Sequence, residues 1–403
     1  MRVLAVYAGS YPWDVRVEKM LTWLAGRGHQ VHLLCANHER RPCREELDGA
    51  TIHRLPRLPR WLGPAQLAVG LPSPVNPVWF FAIKGLLASQ PCDVVLVRDL
   101  QVALAAVAAA RAAGLPLVLD LAENWPSLLA EWRRQEGWSL QNLLFRHPRA
   151  SRVVERMAVA RADHILVVVE EMRERLVREL GADPERVAVV MNTPKQGLGR
   201  RAPRADARLL LVYCGTLHLD HGLDVALQGV ARARAAGLPV GLRLIGRGKP
   251  KQEAGLRALA HRLGVESAVE FTGWRPQGEA LALAGEGDVG LCPLGRYEEN
   301  ETTISNKLFE YMSLGLPVLC SDVRPQRRIV EETGAGLVFA AGSPEAMADA
   351  IPQFLDPGRR AAWGAAGRRA VETCYHWDRD GAALERVLEG VAARRRVGVV
   401  SDG

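Results

Sequence analysis

The feature of this 403-residue chain that most restricts its fold is a regular alternation of two kinds of segment. Short apolar runs rich in Val, Leu and Ile are separated by longer stretches that are Ala-rich or amphipathic. Runs of the first kind are typical of buried parallel strands, and stretches of the second kind are typical of the helices that cross over between them. The alternation therefore predicts an α/β protein built from βαβ units.

The predicted elements form two series. In the first, strands are predicted at residues 3–7, 31–35, 94–97, 117–120, 165–169 and 187–191, with helices between them, for example at 17–27 and 102–113. In the second, strands are predicted at 209–214, 242–245, 269–271, 289–292 and 318–320, with 338–339 as a further candidate. Helices at 223–235, 252–263 and 345–354 separate them, and a last helix is predicted at about 380–394.

A polar, basic segment broken by Gly and Pro lies between the two series and is typical of a linker. The predicted organisation is a first domain at 1–195, a linker at 196–208 and a second domain at 209–377. A C-terminal helix at about 378–396 is expected to pack back on the first domain. Two doubly wound Rossmann-like domains facing a central cleft would place the carboxyl ends of their strands there, where such sheets bind ligands.

Charge and cysteine content restrict the function. The net charge of +7 and the pI of about 9.2 suit anionic partners such as nucleotides, phospholipid head groups or nucleic acid. No apolar run approaches the length of a bilayer span, and the first residues lack a signal-peptide pattern. The seven cysteines form no CxxC pair, so we interpret them as small core residues in a reducing compartment and expect no structural zinc.

The stretch T-I-S-N-K-L-F-E-Y-M-S-L-G-L-P-V-L-C-S-D, which begins at Thr303, predicts a loop, a short helix, a tight turn and a buried strand. Ser305 is the predicted N-cap, and Gly315 follows the predicted end of the helix. Free N–H groups at a helix N-terminus suit a phosphate, and Glu310, one turn in, could accept protons from neighbouring hydroxyls. The alternative is an ordinary crossover helix that carries a surface ion pair between Lys307 and Glu310.

Further motifs stand where predicted strands end. They are Y-P-W-D-V-R-V-E-K-M after the first strand, D-L-A-E-N-W-P from Asp120, V-V-M-N-T-P ending at Pro194, V-Y-C-G-T-L-H-L-D-H-G-L-D from Val212, and L-I-G-R-G-K from Leu244. With the Thr303 stretch, their order and spacing resemble the large retaining glycosyltransferase family 4, which has the GT-B fold. The resemblance extends from Met1 to about Trp377.

The resemblance implies an enzyme that transfers a sugar from a nucleotide-diphosphate donor to an acceptor and keeps the anomeric configuration. It implies a cytoplasmic, metal-independent hexosyl- or N-acetylhexosaminyltransferase that needs no cofactor. The acceptor implied is a glycan or a lipid-linked sugar in the synthesis of a cell-surface polysaccharide or glycolipid. The leaving phosphate of such enzymes is generally taken to help remove the acceptor proton.

The resemblance places the nucleotide in the second domain. Glu310 would bind the ribose hydroxyls, and Trp274 would contact the base, with a packing role between domains as the alternative for Trp274. Backbone amides near the start of the short helix would face the diphosphate. The full set of implied donor-side positions is Gly215, Thr216, His221, Gly246, Arg247, Lys249, Trp274, Thr302, Thr303, Ile304, Ser305, Asn306 and Glu310.

The first domain would hold the acceptor. Gly9 would let the backbone approach a ligand closely. Glu123 and Asn124 resemble the acceptor-side pair of members with an Asp-x-x-Glu-Asn string, and Glu123 could orient or deprotonate the acceptor hydroxyl, a helix-capping role being the alternative. The other acceptor-side candidates are Asp14, Arg16 and Asp120, and the candidate catalytic residues are Glu310, Glu123 and Lys307.

The chain departs from the family pattern at several positions. Thr302 stands where the first Glu of the Glu-x7-Glu motif is expected, and Glu301 is one position away. Thr216 and His221 stand where many members carry the basic residues that clamp the diphosphate, so we expect Arg247, Lys249 and Lys307 to take that role. A bound phosphate could raise the pKa of His221 enough to charge it. The Gly-Gly loop common near the N-terminus is also absent.

The segment from Leu55 to Leu87 combines Arg57, Arg60 and Trp61 with prolines and the run V-W-F-F-A-I-K-G-L-L. Aromatic and apolar side chains beside basic ones fit peripheral contact with an anionic membrane, here the inner face of the plasma membrane. The alternative is a buried helix reached by a proline-rich loop.

Other functions remain open at this stage. A glycosyltransferase-like binding subunit without catalysis would explain the departures at Thr216, His221 and Thr302. A nucleotide-sugar epimerase of the same fold would need no acceptor. A nucleic-acid binder has the least support, because the positive charge is diffuse and no motif that reads RNA or DNA is present. The sugar, the base and the acceptor are set by loops and are not predicted.

Overall fold

The computed structural model describes residues 1–12, 14–56, 75–136, 147–197, 199, 201, 208–218 and 221–401, with side chains described as far as residue 394. The chain divides into two compact units, Met1–Asn192 with Asp380–Gly403, and Thr193–Arg379, called here the first and second domains. Both are Rossmann-like α/β domains with parallel sheets. The predicted α/β class is therefore confirmed.

The first domain is built on an eight-stranded sheet. Its strands are β1 (Arg2–Ser10), β2 (Gln30–Ala36), β3 (Arg44–Leu47), β4 (Ala50–Arg54), β5 (Val94–Arg98), β6 (Leu117–Leu121), β7 (His164–Val167) and β8 (Val187–Val189). They lie in the order β3-β4-β2-β1-β5-β6-β7-β8, and every neighbouring pair is parallel except β3 and β4. The central strands are buried along their length because helices cover both faces of a parallel sheet.

The helices of the first domain are Val15–Gly26, Pro77–Ser89, Ala103–Ala112, Trp125–Glu136, Pro148–Arg161 and Glu170–Leu180. The last helix of the chain, Trp377–Ser401, lies mostly in this domain. Gly381 packs so closely on the ring of Trp23 that any side chain there would collide with it. The indole of Trp23 donates to Glu385 at 3.2 Å, and Glu385 also pairs with His29 at 2.9 Å. These contacts join the C-terminal helix to the first domain.

The second domain has a six-stranded, fully parallel sheet in the order β11-β10-β9-β12-β13-β14. The strands are β9 (Leu209–Cys214), β10 (Val240–Ile245), β11 (Val269–Gly273), β12 (Val289–Cys292), β13 (Val318–Ser321) and β14 (Gly336–Phe339). The helices are Leu223–Ala235, Pro250–Arg262, Gln277–Gly285, Asn306–Leu314, Arg324–Thr333, Pro344–Ala350 and Pro357–Thr373. The buried core lies between this sheet and its helices.

Two predictions need correction. The sequence predicted no strand between residues 36 and 93, but β3 and β4 form an antiparallel hairpin there. The edge strand β3 is mostly polar and β4 alternates between apolar and polar residues, so no apolar run marks them. The interpretation of the cysteines as core residues is right for Cys35, Cys292 and Cys320 and wrong for Cys43 and Cys374, which are exposed.

The segment from Leu55 to Leu87 lies partly outside the described residues, because 57–74, including Arg57, Arg60 and Trp61, are not described. Most of the predicted linker, at 198, 200 and 202–207, is also outside them. The described Pro77–Ser89 helix buries Trp79 and Ile83 but leaves Phe81 66% exposed. In the described part of the chain, no helix combines the length and apolarity of a membrane span.

Candidate functional sites

A pocket of about 570 Å³ opens beyond the carboxyl ends of β9, β10 and β11 in the second domain. Its volume lies in the range of small-molecule sites, and its position at the strand ends is where doubly wound sheets bind ligands. Its lining is a mixture of glycine, cationic and aromatic residues. These residues are Cys214, Gly215, Thr216, His218, Ile245, Gly246, Arg247, Gly248, Lys249, Gln252, Trp274, Arg275 and Ala280.

Glycines let the loops that floor this pocket approach each other closely. Gly246 has φ of +137°, and a Cβ there would collide with the carbonyl oxygen of Gly215. Gly215 itself has φ of +145°, which L side chains rarely adopt. The Gly215 N–H donates to Ile245 at 2.9 Å, and the Gly246 N–H donates to Gly273 at 3.1 Å. Both glycines are therefore required for the backbone wall that the sequence predicted on the donor side.

Lys307 lies beneath this wall. Its side chain is 9% exposed, and a Cβ on Gly215 would approach the Cε of Lys307 to 3.3 Å. The ammonium donates to the Ser305 hydroxyl at 2.9 Å and lies 4.9 Å from the centre of the Tyr213 ring. Burial lowers the pKa of Lys307, but the neighbouring Tyr213, thiol and Glu310 groups outweigh burial and raise it, so the side chain is charged. A surface ion pair is therefore the wrong description of Lys307.

The cationic wall of the pocket carries an aromatic ring. The guanidinium of Arg247 lies 5.8 Å from the ring centre of Trp274, whose side chain is 60% exposed. Lys249 is the N-cap residue of the Pro250–Arg262 helix, so this helix directs its N-terminus toward the pocket lining. The Gly248 N–H donates to the Glu253 carboxylate at 2.6 Å, which satisfies one of the groups at the start of this helix.

His221 is held by the loop after β9 and does not line the pocket. Its Nδ1 lies 3.0 Å from the carbonyl oxygen of Thr216 and 2.8 Å from the hydroxyl of Tyr213. Burial, followed by the positive charge of Lys307, lowers the pKa of His221 to about 4. The imidazole is therefore neutral near pH 7 in this structure, and the cations at the pocket are Arg247, Lys249 and Arg275 in its lining and Lys307 beneath Gly215.

The loop from Thr302 to Asn306 leads into the Asn306–Leu314 helix and is not among the residues that line this pocket. Thr302 is 5% exposed, and its hydroxyl donates to the carbonyl oxygens of Glu298 and Glu299 at 2.8 and 3.2 Å. The hydroxyl of Thr303 likewise donates to Glu299, at 3.0 Å. These contacts stabilise the turn itself, so the side chain at 302 does not replace the carboxylate that the family pattern has there.

The helix that follows begins and ends as predicted, with one difference at its start. Ser305 is the N-cap and Gly315 the left-handed C-cap. The Ser305 side chain makes no capping bond to the backbone and accepts from Lys307 instead. Ile304 and Glu310 are half-buried, and Asn306 is exposed. The charge of Glu310, after burial, contributes to the raised pKa of Cys214, which places the carboxylate in electrostatic range of the end of β9.

In the first domain, ionisable residues gather at the carboxyl ends of β1, β5 and β6. Arg16 and Asp120 form a two-point ion pair, with N–O distances of 2.9 and 2.6 Å and side-chain exposures of 2% and 0%. A third nitrogen of Arg16 donates to the carbonyl oxygen of Met191 at 3.0 Å. Both side chains are thus enclosed by their mutual contacts, and in this structure neither is open to an acceptor.

The other acceptor-side candidates have local roles as well. Asp14 is the N-cap of the Val15–Gly26 helix, with its carboxylate 2.9 Å from the Val17 N–H. Asn124 precedes the Trp125–Glu136 helix, and its side-chain oxygen is 3.4 Å from the Ser127 N–H. Glu123 is half-buried. The close approach at Gly9 is to the Tyr7 ring of the same strand, with which a Cβ would collide.

Sequence reasoning missed three members of this cluster, Tyr7, Arg98 and Asp99. Arg98 pairs with Asp14 at 3.1 Å, and its guanidinium lies 5.8 Å from the centre of the Tyr7 ring. Asp99 is 4% exposed and follows directly on β5. The signal was present, because V-R-D-L places two charges at the end of a buried strand, as D-L-A-E-N does after β6.

Among the described residues, one group of three side chains has metal-ligand spacing, His29, Glu385 and Glu389. Two of them already pair with each other, and His29 Nδ1 is 3.1 Å from the N-terminal amine. Arg27 approaches Glu385 at 3.6 Å. This arrangement is that of an ion-paired contact between the C-terminal helix and the start of β2.

Two family models match the chain. A model described as glycosyl transferase 4-like domain matches residues 14–193, and one described as glycosyl transferases group 1 matches residues 208–356. The first match lies almost entirely in the first domain and the second lies within the second domain. Together they cover most of the described elements of both sheets.

Individual proteins that are similar in sequence to this chain are also glycosyltransferases. A D-inositol 3-phosphate glycosyltransferase of Xylanimonas cellulosilytica is 29% identical over 311 residues, which are 67% of this chain and 71% of that protein. Two further relatives of the same description are matched over 55% and 62% of their own length.

Solved structures resemble the whole chain. The sucrose-phosphate synthase of Thermosynechococcus elongatus has a TM-score of 0.77 at 17% identity, with 98% of this chain and 100% of that chain covered. Anabaena HepE in complex with UDP-glucose has a TM-score of 0.69 at 15% identity, with 98% and 100% covered. At these identities the likeness shows a shared fold, that of GT-B glycosyltransferases.

Proposed function

The chain belongs to glycosyltransferase family 4, and from that premise we propose that it transfers a hexosyl group from a nucleotide-diphosphate sugar to a hydroxyl of a glycan or lipid-linked acceptor, with retention of anomeric configuration. The donor occupies the pocket beyond β9, β10 and β11. The sugar and base are those of a nucleotide sugar such as the UDP-glucose that HepE holds.

The observation that carries this proposal is the buried ammonium of Lys307. The ammonium donates to the Ser305 hydroxyl and lies beside Tyr213 and Glu310, and an ammonium has three donors to share among its partners and a ligand. A buried cation is costly unless an anion pairs with it. Lys307 lies directly beneath Gly215, whose loop lines a pocket that also contains Arg247 and Lys249. A diphosphate in this pocket would lie among these cations.

The proposed reaction follows from where negative charge develops. The acceptor oxygen forms a bond to the anomeric carbon on the face from which the nucleoside diphosphate departs. The carbon–oxygen bond to the phosphate breaks, and the acceptor proton passes to an oxygen of the leaving phosphate. Fixed cations and amides aimed at this charge lower the barrier. Because several cationic side chains supply the charge, we propose that no divalent metal is needed.

Residues of the pocket wall divide the remaining tasks. In the proposal, the base stacks on the exposed face of Trp274, Glu310 accepts hydrogen bonds from the ribose hydroxyls, and the diphosphate lies along the backbone of Gly215 and Gly246. Glu123 of the first domain orients or deprotonates the acceptor. The half-buried Glu123 carboxylate and its electrostatic contact with the buried Arg98 support this assignment.

The donor is tested with a panel of UDP-, GDP-, ADP- and TDP-sugars, with melting temperature and nucleotide release followed in the presence of EDTA. One nucleotide sugar is expected to raise the melting temperature and to release nucleotide faster when an acceptor is added. Stabilisation without any turnover would instead support a binding subunit, which the neutral His221 and the turn-bound Thr302 favour. Interconversion of the donor sugar without transfer would support an epimerase.

The placement of the ribose is tested with Glu310→Ala. This change should weaken donor binding by roughly tenfold or more, because charge-assisted hydrogen bonds to hydroxyls are lost. The control is Glu331→Ala, which removes an exposed carboxylate paired with Arg327 at 2.9 Å on another helix of the same domain. Equal donor affinity in both variants would show that the ribose lies elsewhere.

We further propose that the protein is cytoplasmic and rests on the inner face of the plasma membrane through the region from Leu55 to Leu87. Val75 and Phe81 are 67% and 66% exposed, and the chain carries a net charge of +7. Phe81→Ser should lower the affinity for phosphatidylglycerol vesicles roughly tenfold, because the variant has no phenyl ring to transfer from water into the membrane. Val153→Ser, at a residue 55% exposed on the Pro148–Arg161 helix, should not. Equal binding by both variants would exclude this surface.

A further inference from the structure

Two charged residues at the end of β5, Arg98 and Asp99, have no part in the reaction proposed above. Their side chains are 12% and 6% exposed. They face a set of charged groups contributed by three other segments: Asp14 after β1, Asp120 on β6, and Glu123 in the loop that follows β6. Charged groups are rarely buried without pairing, so this arrangement needs a physical reason.

Arg98 is incompletely satisfied by the protein. One of its terminal nitrogens pairs with Asp14 at 3.1 Å. Its Nε and Nη1 are buried and have no hydrogen-bond partner among the described residues, with Asp99 and Asp120 oxygens at 3.7 and 3.6 Å. Buried N–H groups without partners are costly and uncommon. The guanidinium therefore has hydrogen-bonding capacity for an oxygen that enters the site.

Asp99 ties the end of β5 to the loop after β6. Its Oδ1 accepts from the Ala122 N–H at 3.1 Å, and its own N–H donates to the carbonyl oxygen of Asp120 at 2.8 Å. Ala122 directly precedes Glu123 in the chain. Asp99 has φ of +60°, a strained conformation for a residue other than glycine. Strain of this kind persists where surrounding contacts fix the residue, and it gathers at functional sites.

We propose that Arg98 and Asp99 are positioning residues for Glu123, and that the acceptor presents an uncharged hydroxyl to this cluster. Asp99 fixes the backbone before Glu123, and Arg98 balances the charge of the Glu123 carboxylate. Four carboxyl groups accompany two arginines here, so a second anion beside Glu123 is disfavoured. The inference rests on the proposed function, since it assigns the acceptor side of that reaction.

The protonation of Asp99 follows from the same geometry. Burial, opposed by Arg98 and aided by Glu123 and Asp120, raises the pKa of Asp99 to about 7. The titratable and charged groups that face it from the packed segments are Tyr7, Arg98, Asp120 and Glu123, with Asp14 beside Arg98 and Arg16 beside Asp120. Below pH 7 Asp99 is neutral and does not attract Arg98, so the positive charge of Arg98 acts mainly on the Glu123 carboxylate. Above pH 7 the Asp99 carboxylate competes for Arg98, so the KM for the acceptor should rise.

The experiment measures acceptor KM from pH 6 to 8.5, with p-nitrophenyl hexosides as uncharged acceptors and p-nitrophenyl hexuronides as their charged counterparts. Asp99→Asn keeps an oxygen for the Ala122 N–H and should remove the rise in KM above pH 7. Arg98→Gln should raise acceptor KM about tenfold or more. Arg98→Lys, which keeps the positive charge, should have a KM between those of the wild type and Arg98→Gln. Donor affinity should stay unchanged in all three variants, and the hexosides should be the better acceptors.

The matched control is Glu155→Gln, which breaks another buried pair of the first domain. The Arg175 Nη1 and Glu155 Oε1 atoms lie 2.8 Å apart, and the side chains of Glu155 and Arg175 are 1% and 5% exposed. This variant should lower the melting temperature without changing acceptor KM or its pH profile. If Glu155→Gln shifts KM as much as Arg98→Gln, or if the Asp99→Asn profile matches that of the wild type, the inference is overturned. Absence of transfer by the wild type with every acceptor would overturn the proposed function and this inference together.

Discussion

Both domains gather charged residues at the carboxyl ends of their parallel strands, yet the two strand-end regions differ in how those charges are balanced. In the first domain, Arg16 and Asp120 are enclosed in a two-point ion pair, and Arg98 lies among further carboxyl groups. In the second, Arg247 and Lys249 line an open pocket floored by glycine, and Lys307 is buried against a hydroxyl and an aromatic ring.

The difference teaches that burial of a charge has opposite meanings in the two regions. A buried charge that the protein itself neutralises holds neighbouring segments in place, and removal of one partner leaves the other unpaired. A buried cation at the wall of an open pocket is stabilised further when an anionic ligand binds there. The Arg16–Asp120 pair is therefore expected to respond to substitution mainly in stability, and Lys307 mainly in ligand binding and turnover.

The largest effect is expected for Asp120→Asn in the first domain. The substitution leaves the Arg16 guanidinium buried without its counterion, which should lower the free energy of unfolding by about 3–5 kcal/mol. Urea denaturation followed by tryptophan fluorescence measures the change. Asp93→Asn, whose partner Arg2 is 41% exposed, should lower the free energy of unfolding much less. Similar losses in both variants would mean that the Arg16–Asp120 pair is no more than a surface contact in energetic terms.

The complementary change in the second domain is Lys307→Met. It removes a buried cation but keeps an unbranched apolar chain, so the melting temperature should be unchanged or higher. Transfer should fall by about 10²–10³-fold, the usual loss when one group that stabilises developing charge is removed. Enzyme assays with the donor found in the panel and thermal unfolding measure the two quantities. Lys251→Met, at an exposed residue, is the control. If Lys307→Met lowered the melting temperature and left turnover intact, Lys307 would have a structural role, contrary to the comparison.

The pH dependence of stability sharpens the comparison within the first domain. The pKa of Asp99 is raised to about 7 by burial, so between about pH 4 and pH 7 the folded protein binds a proton that the unfolded chain has lost. Stability should therefore fall as pH rises through this window and level off above it. Asp99→Asn removes the titrating group, so the variant should exceed the wild type by on the order of 4 kcal/mol at pH 8 and match it near pH 4.

Denaturant midpoints of the two proteins across pH 4–8 measure this difference. Parallel curves would show that Asp99 does not titrate in the window, which would remove the electrostatic part of its positioning role. The Glu155→Gln variant, whose pair with Arg175 is enclosed in the same domain, should have lower denaturant midpoints than the wild type.

Much of the fold could be predicted because parallel strands are encoded locally. The strand predicted at 209–214 and the helix predicted at 223–235 match Leu209–Cys214 and Leu223–Ala235, since each is a continuous apolar or amphipathic segment. The hairpin of β3 and β4 was missed because the edge strand β3 is mostly polar and β4 is short and alternates in polarity. Its turn did carry a signal, since Asp48 and Gly49 both have positive φ and Asp-Gly is typical of such turns.

The site residues divide in the same way. Residues that stand at strand ends in sequence motifs, such as Gly215, Gly246 and Arg247, lie around one pocket, because a parallel sheet brings its carboxyl ends together. Pairings between distant side chains were not predictable. The contact of Arg16 with Asp120 spans 104 positions and depends on side-chain geometry that no local pattern records. The neutral state of His221 likewise depends on burial and on Lys307.

The smallest effect is expected for Trp274→Ala, at the open edge of the second region. Loss of a stacking surface that is 60% exposed should weaken nucleotide binding by about 1 kcal/mol, roughly fivefold, without a change in melting temperature. Calorimetric titration with UDP, GDP, ADP and TDP measures it. Because every base has a π-face, stacking predicts the same factor for all nucleotides that bind, whereas hydrogen bonding would affect one base selectively. Leu355→Ala, at a residue 38% exposed in the same domain, should leave all affinities unchanged. Unchanged nucleotide affinity in Trp274→Ala would mean that the pocket recognises the donor through its cations alone, which would make the electrostatic contrast between the two regions sharper still.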